Sequence, residues 1–374
     1  MKRLAIIFMS ILLAAASACS FTDAGLPFED GSSATETSEQ PVVEDSKSYS
    51  IALLTSENGI NDSECMNAWQ GVVTYGDSTS TSYKYYQPDD SSDNSAMLAV
   101  ESAVQHGAEI VVLPSDSFKY LAYDLQYQYP NVSFLLVGAM PTSRSDGKIE
   151  AEKNVHCILF KEEQAGYLAG YSAVIEGKKT IGFIGDGDNE QNIRYAYGLV
   201  QGADDAMQKL RSHDVSVKYT FTKAAEKETS TALKKLRDLN AEVIFTANEE
   251  ITDICAGLLK DEKIIYVGEN NEKCSTKQYT SVLYNANRAI ELSVSSFYSN
   301  GGKWLDAAAG AAMRFGIENG CIDLNTSEDA WFFETFNREI YDSTVEGFIN
   351  DEIDLSSDTE TPPPIATISY SYVE

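Results

Sequence analysis

Histidine is almost missing from this chain: His106, His156 and His213 are three residues in 374, and none lies near another. No Gly-x-Ser-x-Gly elbow, His-Glu-x-x-His pair or Asp-x-Asp-x-Asp-Gly loop occurs either. Nucleophilic and metal-assisted chemistry needs such groups at such spacings, so no enzyme activity, cofactor or metal is expected. Positive charge is also scarce. Twenty-eight Lys and Arg stand against 57 Asp and Glu, a formal net charge of -29. That imbalance repels phosphate backbones and anionic lipid at long range, and it excludes a nucleic-acid partner. Cysteine is limited to Cys19, Cys65, Cys157, Cys255, Cys274 and Cys321, nowhere at a Cys-x-x-Cys spacing. Setting Cys19 aside leaves an odd five, from which neither a disulfide framework nor a zinc site can be read. The apolar run at 4–18 is fifteen residues, short of the about 20 that a roughly 30 Å hydrocarbon core requires.

What that run does have is the layout of a leader. Lys2 and Arg3 precede it, and Ala16, Ser17 and Ala18 lead into Cys19. A basic start, a short apolar segment and small residues before a cleavage point mark a secretory signal. Small residues directly before a cysteine resemble the lipobox of bacterial lipoproteins. The resemblance implies cleavage after residue 18, a diacylglycerol on Cys19, and anchoring by lipid at the extracytoplasmic face of the cell membrane. Residues 19–48 follow, rich in Ser, Thr, Glu and Asp, with hardly any large apolar residue after Phe28. Such a stretch buries too little surface to offset its ordering entropy and reads as a flexible acidic tether.

From residue 49 onward, short apolar runs alternate with amphipathic patterns. Runs at 49–54, 110–113, 134–137, 181–184, 243–245 and 264–267 are separated by helical periodicity at 94–106, 162–176, 193–210 and 250–259. This predicts an α/β fold, with parallel strands buried between helices on both faces. An internal echo divides the body. Residues 107–112 and 240–245 each follow a helix, share an Ala-Glu followed by an apolar run, and lead into polar loops at 114–117 and 247–250. Two similar doubly wound parallel-sheet lobes with a hinge are predicted. Ligands bind outside the carboxyl ends of such strands, so an interlobe cleft should be flanked by these loops, Asn248 and Glu249 included. Lobe 1 is placed at 49–156 with about 270–300 returning, and lobe 2 at 157–269 with about 301–325 returning. C-terminal helices and a tail are expected at 326–374, and crossovers near 155–160, near 267–271 and after the helix around 288–300. The glycine-rich stretch 182–187 lacks the Lys and Ser/Thr of a phosphate loop, and Asp186 and Asp188 would repel phosphate.

Phe160, Glu162, Glu163, Gly166, Tyr167, Leu168, Ala169, Gly170 and Tyr171 form one compact motif. Residues 181–185, then Arg194, Tyr195, Gly198, Gly202 and Ala203, form a second. In this order and spacing they resemble the basic membrane protein family, nucleoside-binding lipoproteins that serve ABC transporters. The likeness runs from about residue 49 to near 350. It implies a type I periplasmic-binding-protein-like fold, a purine nucleoside or related heterocycle in the cleft, and an ABC permease as partner. A base needs aromatic stacking and desolvated ribose hydroxyls need paired polar groups. Tyr195 stands where the family carries its second stacking Phe, and Phe118 matches an aromatic in the loop after the third strand. Glu269, with Asn270 beside it, replaces the Asp of a family Gly-Val-Asp segment. The first loop, 59–69, lacks the family's Phe-Asn pair and offers Asn61, Asp62 and Glu64 instead; Tyr284 replaces a lysine and Ser56 an aspartate. These departures keep a second reading open, a ligand-sensing or partner-binding lipoprotein that has lost transport or nucleoside specificity. Gly166 and Gly170, one turn apart, are expected to admit another element closely, and Phe160 to end a strand at the hinge.

Overall fold

The computed structural model describes residues 47–374 apart from Asp188, His213 and Asn270. Cys19, the leader and nearly all of the tether lie outside these residues, as does the ligand contact expected of Asn270. Among the described residues no helix is long and apolar enough to cross a membrane.

The first lobe is a six-stranded parallel sheet. It contains β1 (Ile51–Leu54), β2 (Tyr83–Tyr86), β3 (Ile110–Leu113), β4 (Ser133–Val137), β5 (Val155–Phe160) and, from far along the chain, β11 (Ala311–Phe315). The spatial order is β11-β5-β4-β3-β1-β2. Its central strands β1 and β3 are apolar on both faces because each face is covered. Ile51, Leu53, Ile110 and Val112 pack on α1 (Ser63–Thr79) and α8 (Ala286–Ser299). Their neighbours Ala52, Leu54, Val111 and Leu113 pack on α2 (Asp93–Gln105) and α3 (Lys119–Gln128). Successive strand residues point to opposite faces, so one buried run serves two helix layers.

The second lobe repeats the scheme. β6 (Thr180–Asp186), β7 (Ser216–Thr222), β8 (Val243–Thr246), β9 (Lys263–Val267), β10 (Gln278–Tyr284), β12 (Ile322–Leu324) and β13 (Ser369–Tyr372) lie in the order β12-β10-β9-β8-β6-β7-β13. Phe183, Phe245 and Ile265 face α4 (Glu162–Ile175) and α5 (Glu190–Leu210), whereas Ile184, Ile244 and Ile264 face α6 (Glu226–Asp238) and α7 (Glu249–Leu258). Only β12 runs antiparallel to its neighbour among the described pairs.

The chain passes between lobes at 160–162, 284–286 and 315–317. The second and third crossovers lie later than the sequence reading placed them. β10 pairs with β9 and so stays in lobe 2 through Tyr284, while 286–315 supplies α8 and β11 to lobe 1. Within 301–325, lobe 2 recovers only the short piece around β12. An isolated apolar run does not disclose which sheet it joins; the register partner decides. Residues 326–374 likewise hold one helix among the described residues, α9 (Arg338–Ile349), and then β13, which extends the lobe 2 sheet beside β7.

Asp204 fastens that C-terminal strand. Its carboxylate, on α5 and 5% exposed, accepts from the backbone N–H groups of Ala366 (3.1 Å) and Thr367 (2.7 Å) and from the Thr367 hydroxyl (2.7 Å). Burial works to raise its pKa, but the bonds from Thr367 and Ala366 outweigh this and hold it below the usual aspartate range. A depressed carboxyl pKa stabilises above the unfolded value near about 3.9 and loses that contribution as pH falls through the folded value. Asp204→Ala removes the acceptor of the Ala366 and Thr367 N–H groups and of Gln208 Nε2, and leaves the Thr367 hydroxyl only the Asp204 backbone carbonyl, at about 1–3 kcal/mol for a buried unsatisfied group. We expect faster hydrogen exchange across 366–372 in this variant at neutral pH, and a smaller gap from the parent in strong acid. Unchanged protection at neutral pH would mean that Asp204 does not hold the strand.

Candidate functional site

A cleft of about 910 Å³ opens between the lobes. It lies beyond the carboxyl ends of β9 and β10, as expected for open parallel sheets. Glu64 and Asn67 enter it from α1 and Asn287 from α8; Glu249 and Thr252 enter from α7, and Glu269 from the turn after β9. Tyr284 and Asn285 form the floor at a crossover.

Local sequence positions these groups. Asp62 caps α1, accepting from the N–H groups of Glu64 (3.0 Å) and Cys65 (3.3 Å). With the helix started there, Glu64 and Asn67 fall three residues apart on one face. Gly268 adopts φ +139°, a conformation L side chains rarely reach, and its N–H bonds Val282 O at 2.9 Å. This turn delivers Glu269 across the opening, where its carboxylate accepts from Asn67 Nδ2 at 3.0 Å. One hydrogen bond therefore spans the two lobes at the cleft. Burial raises the pKa of Glu64, and Asp62, Asp116 and Glu249 add to the shift against the hydroxyl of Ser115. Asp253 is instead held low by its pairing with Lys273 and by Asn271.

The hinge below the cleft is an ion cluster. The guanidinium of Arg314, on β11, bonds Glu163 twice (3.1 and 2.6 Å) and Glu162 once (2.6 Å), and its Nε donates to Phe160 O at 3.2 Å. Arg194 lies 3.8 Å from Glu162. Lys161 pairs with Glu318 at 2.8 Å across the first and third crossovers. Phe160 and Tyr284 stack at 4.6 Å with a 4° interplanar angle, joining the first crossover to the second.

Of the residues expected to contact ligand, Glu249 and Glu269 line the cleft. The other described ones have different employment. Asn61 is exposed and donates to Asn58 O at 3.3 Å, and Asp62 is the helix cap. Asn248 caps α7 by accepting from Ile251 N–H at 3.0 Å. Phe118 packs against the lobe 1 core. Tyr195 is a core residue rather than a stacking surface. It is 2% exposed, with its ring 6.2 Å from Phe183 and 5.9 Å from Phe245. The turn of α5 that carries it faces the sheet, and only its hydroxyl points toward the cleft, meeting the Tyr284 hydroxyl at 2.5 Å. Tyr284 and Tyr266 are the aromatics lining the cleft among the described residues, Tyr284 at the position where the family carries a lysine. Asn67, Thr252 and Asn287 were not anticipated; the Asp62 cap together with the i, i+3 spacing from Glu64 was the available signal for Asn67.

His156 is a buried core histidine against Trp304, and burial lowers its pKa. Among the described residues no group of three or more His, Cys, Asp or Glu is placed to hold a metal ion, and the five cysteines are buried and unpaired.

Known proteins share this plan. A nucleoside-binding ABC transporter protein of Lactococcus lactis subsp. cremoris is 26% identical over 212 residues, 55% of this chain and 54% of its own length. The chain thus matches about half of that relative. Basic membrane protein B of Borrelia garinii subsp. bavariensis is 22% identical over 66% of this chain and 71% of its own. A solute-binding protein of an ABC transporter system from Conexibacter woesei superposes with a TM-score of 0.58 at 14% identity, over 83% of this chain and 99% of that one. At that identity the likeness speaks to fold alone, and the fold is the two-lobed one of periplasmic binding proteins. The family described as ABC transporter substrate-binding protein, PnrA-like, matches residues 50–357, and this chain belongs to it.

Proposed function

We propose that this protein is a lipid-anchored, extracytoplasmic solute receptor that captures a purine nucleoside or related heterocycle and presents it to an ABC permease. The observation that carries the reading is the interlobe cleft, with polar groups from both lobes and the Asn67–Glu269 bond already spanning it. A ligand buried between lobes favours the closed arrangement by its differential affinity for it, so capture and closure form one equilibrium. Isothermal calorimetry with adenosine, guanosine and inosine tests the ligand. A Kd at or below about 10 μM, or roughly 7 kcal/mol of binding free energy, is expected for at least one of them. No heat with any of the three would remove the nucleoside.

The anchor has its own test. Mass spectrometry of the mature N-terminal peptide should show a diacylglyceryl group on Cys19, and Cys19→Ala should move the protein from membrane to soluble fraction. An unmodified mature N-terminus elsewhere would defeat the lipoprotein reading.

A receptor that senses rather than delivers is the second reading, and Tyr284 favours it. Its ring stacks on Phe160 and its hydroxyl is engaged by Tyr195, so the floor of the cleft is already filled from within the protein. Uptake of labelled nucleoside by cells lacking the protein separates the two: reduced uptake supports delivery, unchanged uptake supports sensing.

A further inference from the structure

The cleft is more acidic than the acidic protein around it. Five of its eighteen described lining residues are Asp or Glu, against 57 in 374 for the whole chain, so overall composition does not account for it. One lysine lines the cleft among the described residues, and it is neutralised: Lys273 pairs with Asp253. No described Lys, Arg or His forms an ion pair with Glu64, Glu249, Glu269 or Glu272. The partner of Glu269 is the neutral amide of Asn67. These carboxylates also come from opposite walls, Glu64 from lobe 1 and the other three from lobe 2. Bringing the lobes together brings like charges together, in a setting where lower dielectric strengthens their repulsion.

We infer that the solute taken by this cleft carries a positive charge, seated between Glu64 of the first lobe and Glu249 and Glu269 of the second. The inference rests on the cleft being the solute site proposed above and adds the charge class. A cation between the walls turns a repulsion that resists closure into two attractions that favour it, whereas a phosphate adds to the repulsion. Burial is the main cause that raises the pKa of Glu64; Asp62, Asp116 and, across the opening, Glu249 add lesser contributions of the same sign. The same charge pattern rejects nucleotides, so such a receptor would discriminate a base or nucleoside bearing a quaternised or protonated nitrogen from its phosphorylated forms.

The test is calorimetry on the purified full-length protein at neutral pH with four probes: adenosine, its N1-methylated cation, adenosine monophosphate and spermidine. The methylated cation is expected to bind at least about tenfold tighter than adenosine, and the monophosphate at least about tenfold weaker, each step worth about 1.4 kcal/mol. Both gaps should shrink as salt shortens the screening length from roughly 30 Å at 0.01 M to roughly 3 Å at 1 M. Glu249→Gln, an isosteric change at an exposed helix start, should narrow the ratio of cation to neutral nucleoside with little change in melting temperature. Equal affinity for adenosine and its cation, or tighter binding of the monophosphate, overturns the inference and leaves nucleoside binding standing. Spermidine binding with no nucleoside binding upholds the charge class and removes the nucleoside. No binding of any probe overturns both.

Discussion

Arg314→Met should be among the most damaging single substitutions in this protein, at about 3–5 kcal/mol. Arg314 neutralises Glu162 and Glu163, whose side chains are 9% and 5% exposed. Burial already raises the Glu162 pKa, and the approach of Arg314 and Arg194 only partly opposes that rise. Removing the guanidinium leaves Glu163 without its counter-charge and Glu162 with only Arg194 at 3.8 Å, and breaking a buried pair from one side costs about 3–5 kcal/mol because the partner charge is left uncompensated. At about 2–4 °C per kcal/mol for a protein of a few hundred residues, the melting temperature should fall by roughly 6–20 °C. The triple variant Arg314→Met, Glu162→Gln, Glu163→Gln should recover much of the loss, since replacing every member of a buried ionic group by neutral isosteres is often close to neutral. Differential scanning calorimetry checks both. A single variant that melts with the parent would show that the cluster contributes nothing to the fold. Arg314 lies on the first lobe and the two glutamates on the second, so the same variant should also loosen the lobe angle. Small-angle scattering would register this as a larger radius of gyration.

That cluster marks the boundary of what could be read from sequence. The strands were legible because their chemistry is local. Runs such as 51–54 and 110–113 are apolar at every position, which a sheet covered on both faces demands, and the echo at 107–112 and 240–245 announced two lobes. The hinge was not legible. Two glutamates opening a helix ordinarily complement its dipole in water. That these two are buried depends on an arginine about 150 positions away, on a strand whose own lobe could not be assigned from its five residues. The cleft divides in the same way. Both Glu249 and Glu269 line the cleft; Glu249 is legible from its place after a strand end, whereas Glu269 is legible only through the family resemblance. The inward orientation of Tyr195 is not legible because it depends on how α5 is rotated about its axis, set by packing against α4 rather than by anything within 190–200. Resemblance to a family carried the hinge motif and the lobe plan across. It could not carry the first loop, whose residues had changed.

The rotation of α5 rests on four glycines, and they yield the last large effect. Gly166 and Gly170 on α4 face Gly198 and Gly202 on α5, each pair one turn apart. A β-carbon at Gly198 would lie 2.1 Å from Glu163 O, and one at Gly202 would lie 2.1 Å from Tyr167 O. The contact is reciprocal: β-carbons at Gly166 and Gly170 would lie 2.2 Å from Tyr195 O and from Leu199 O. Real β-carbons essentially never come within 3.0 Å of such an atom. In each case the obstacle is backbone, which has no rotamer by which to withdraw. Gly198→Ala must therefore push the helices apart, and overpacking of this kind costs about 1–3 kcal/mol and occasionally more. Helix propensity works the other way, favouring Ala over Gly by about 1 kcal/mol in a helix interior. Gly257→Ala on α7 isolates that term, because nothing lies within 4 Å of the added carbon. We expect Gly198→Ala to lower the melting temperature by roughly 4–8 °C, since about 3 kcal/mol of overpacking less about 1 kcal/mol of propensity leaves about 2 kcal/mol at 2–4 °C each, and Gly257→Ala to leave it unchanged or raise it slightly. If both alanines gave the same melting temperature, close approach of α4 and α5 would not be what these glycines are for. Because α4 also carries Glu162 and Glu163, separating the helices shifts the hinge carboxylates relative to Arg314. Gly198→Ala and Arg314→Met should accordingly be less than additive in a double-mutant cycle.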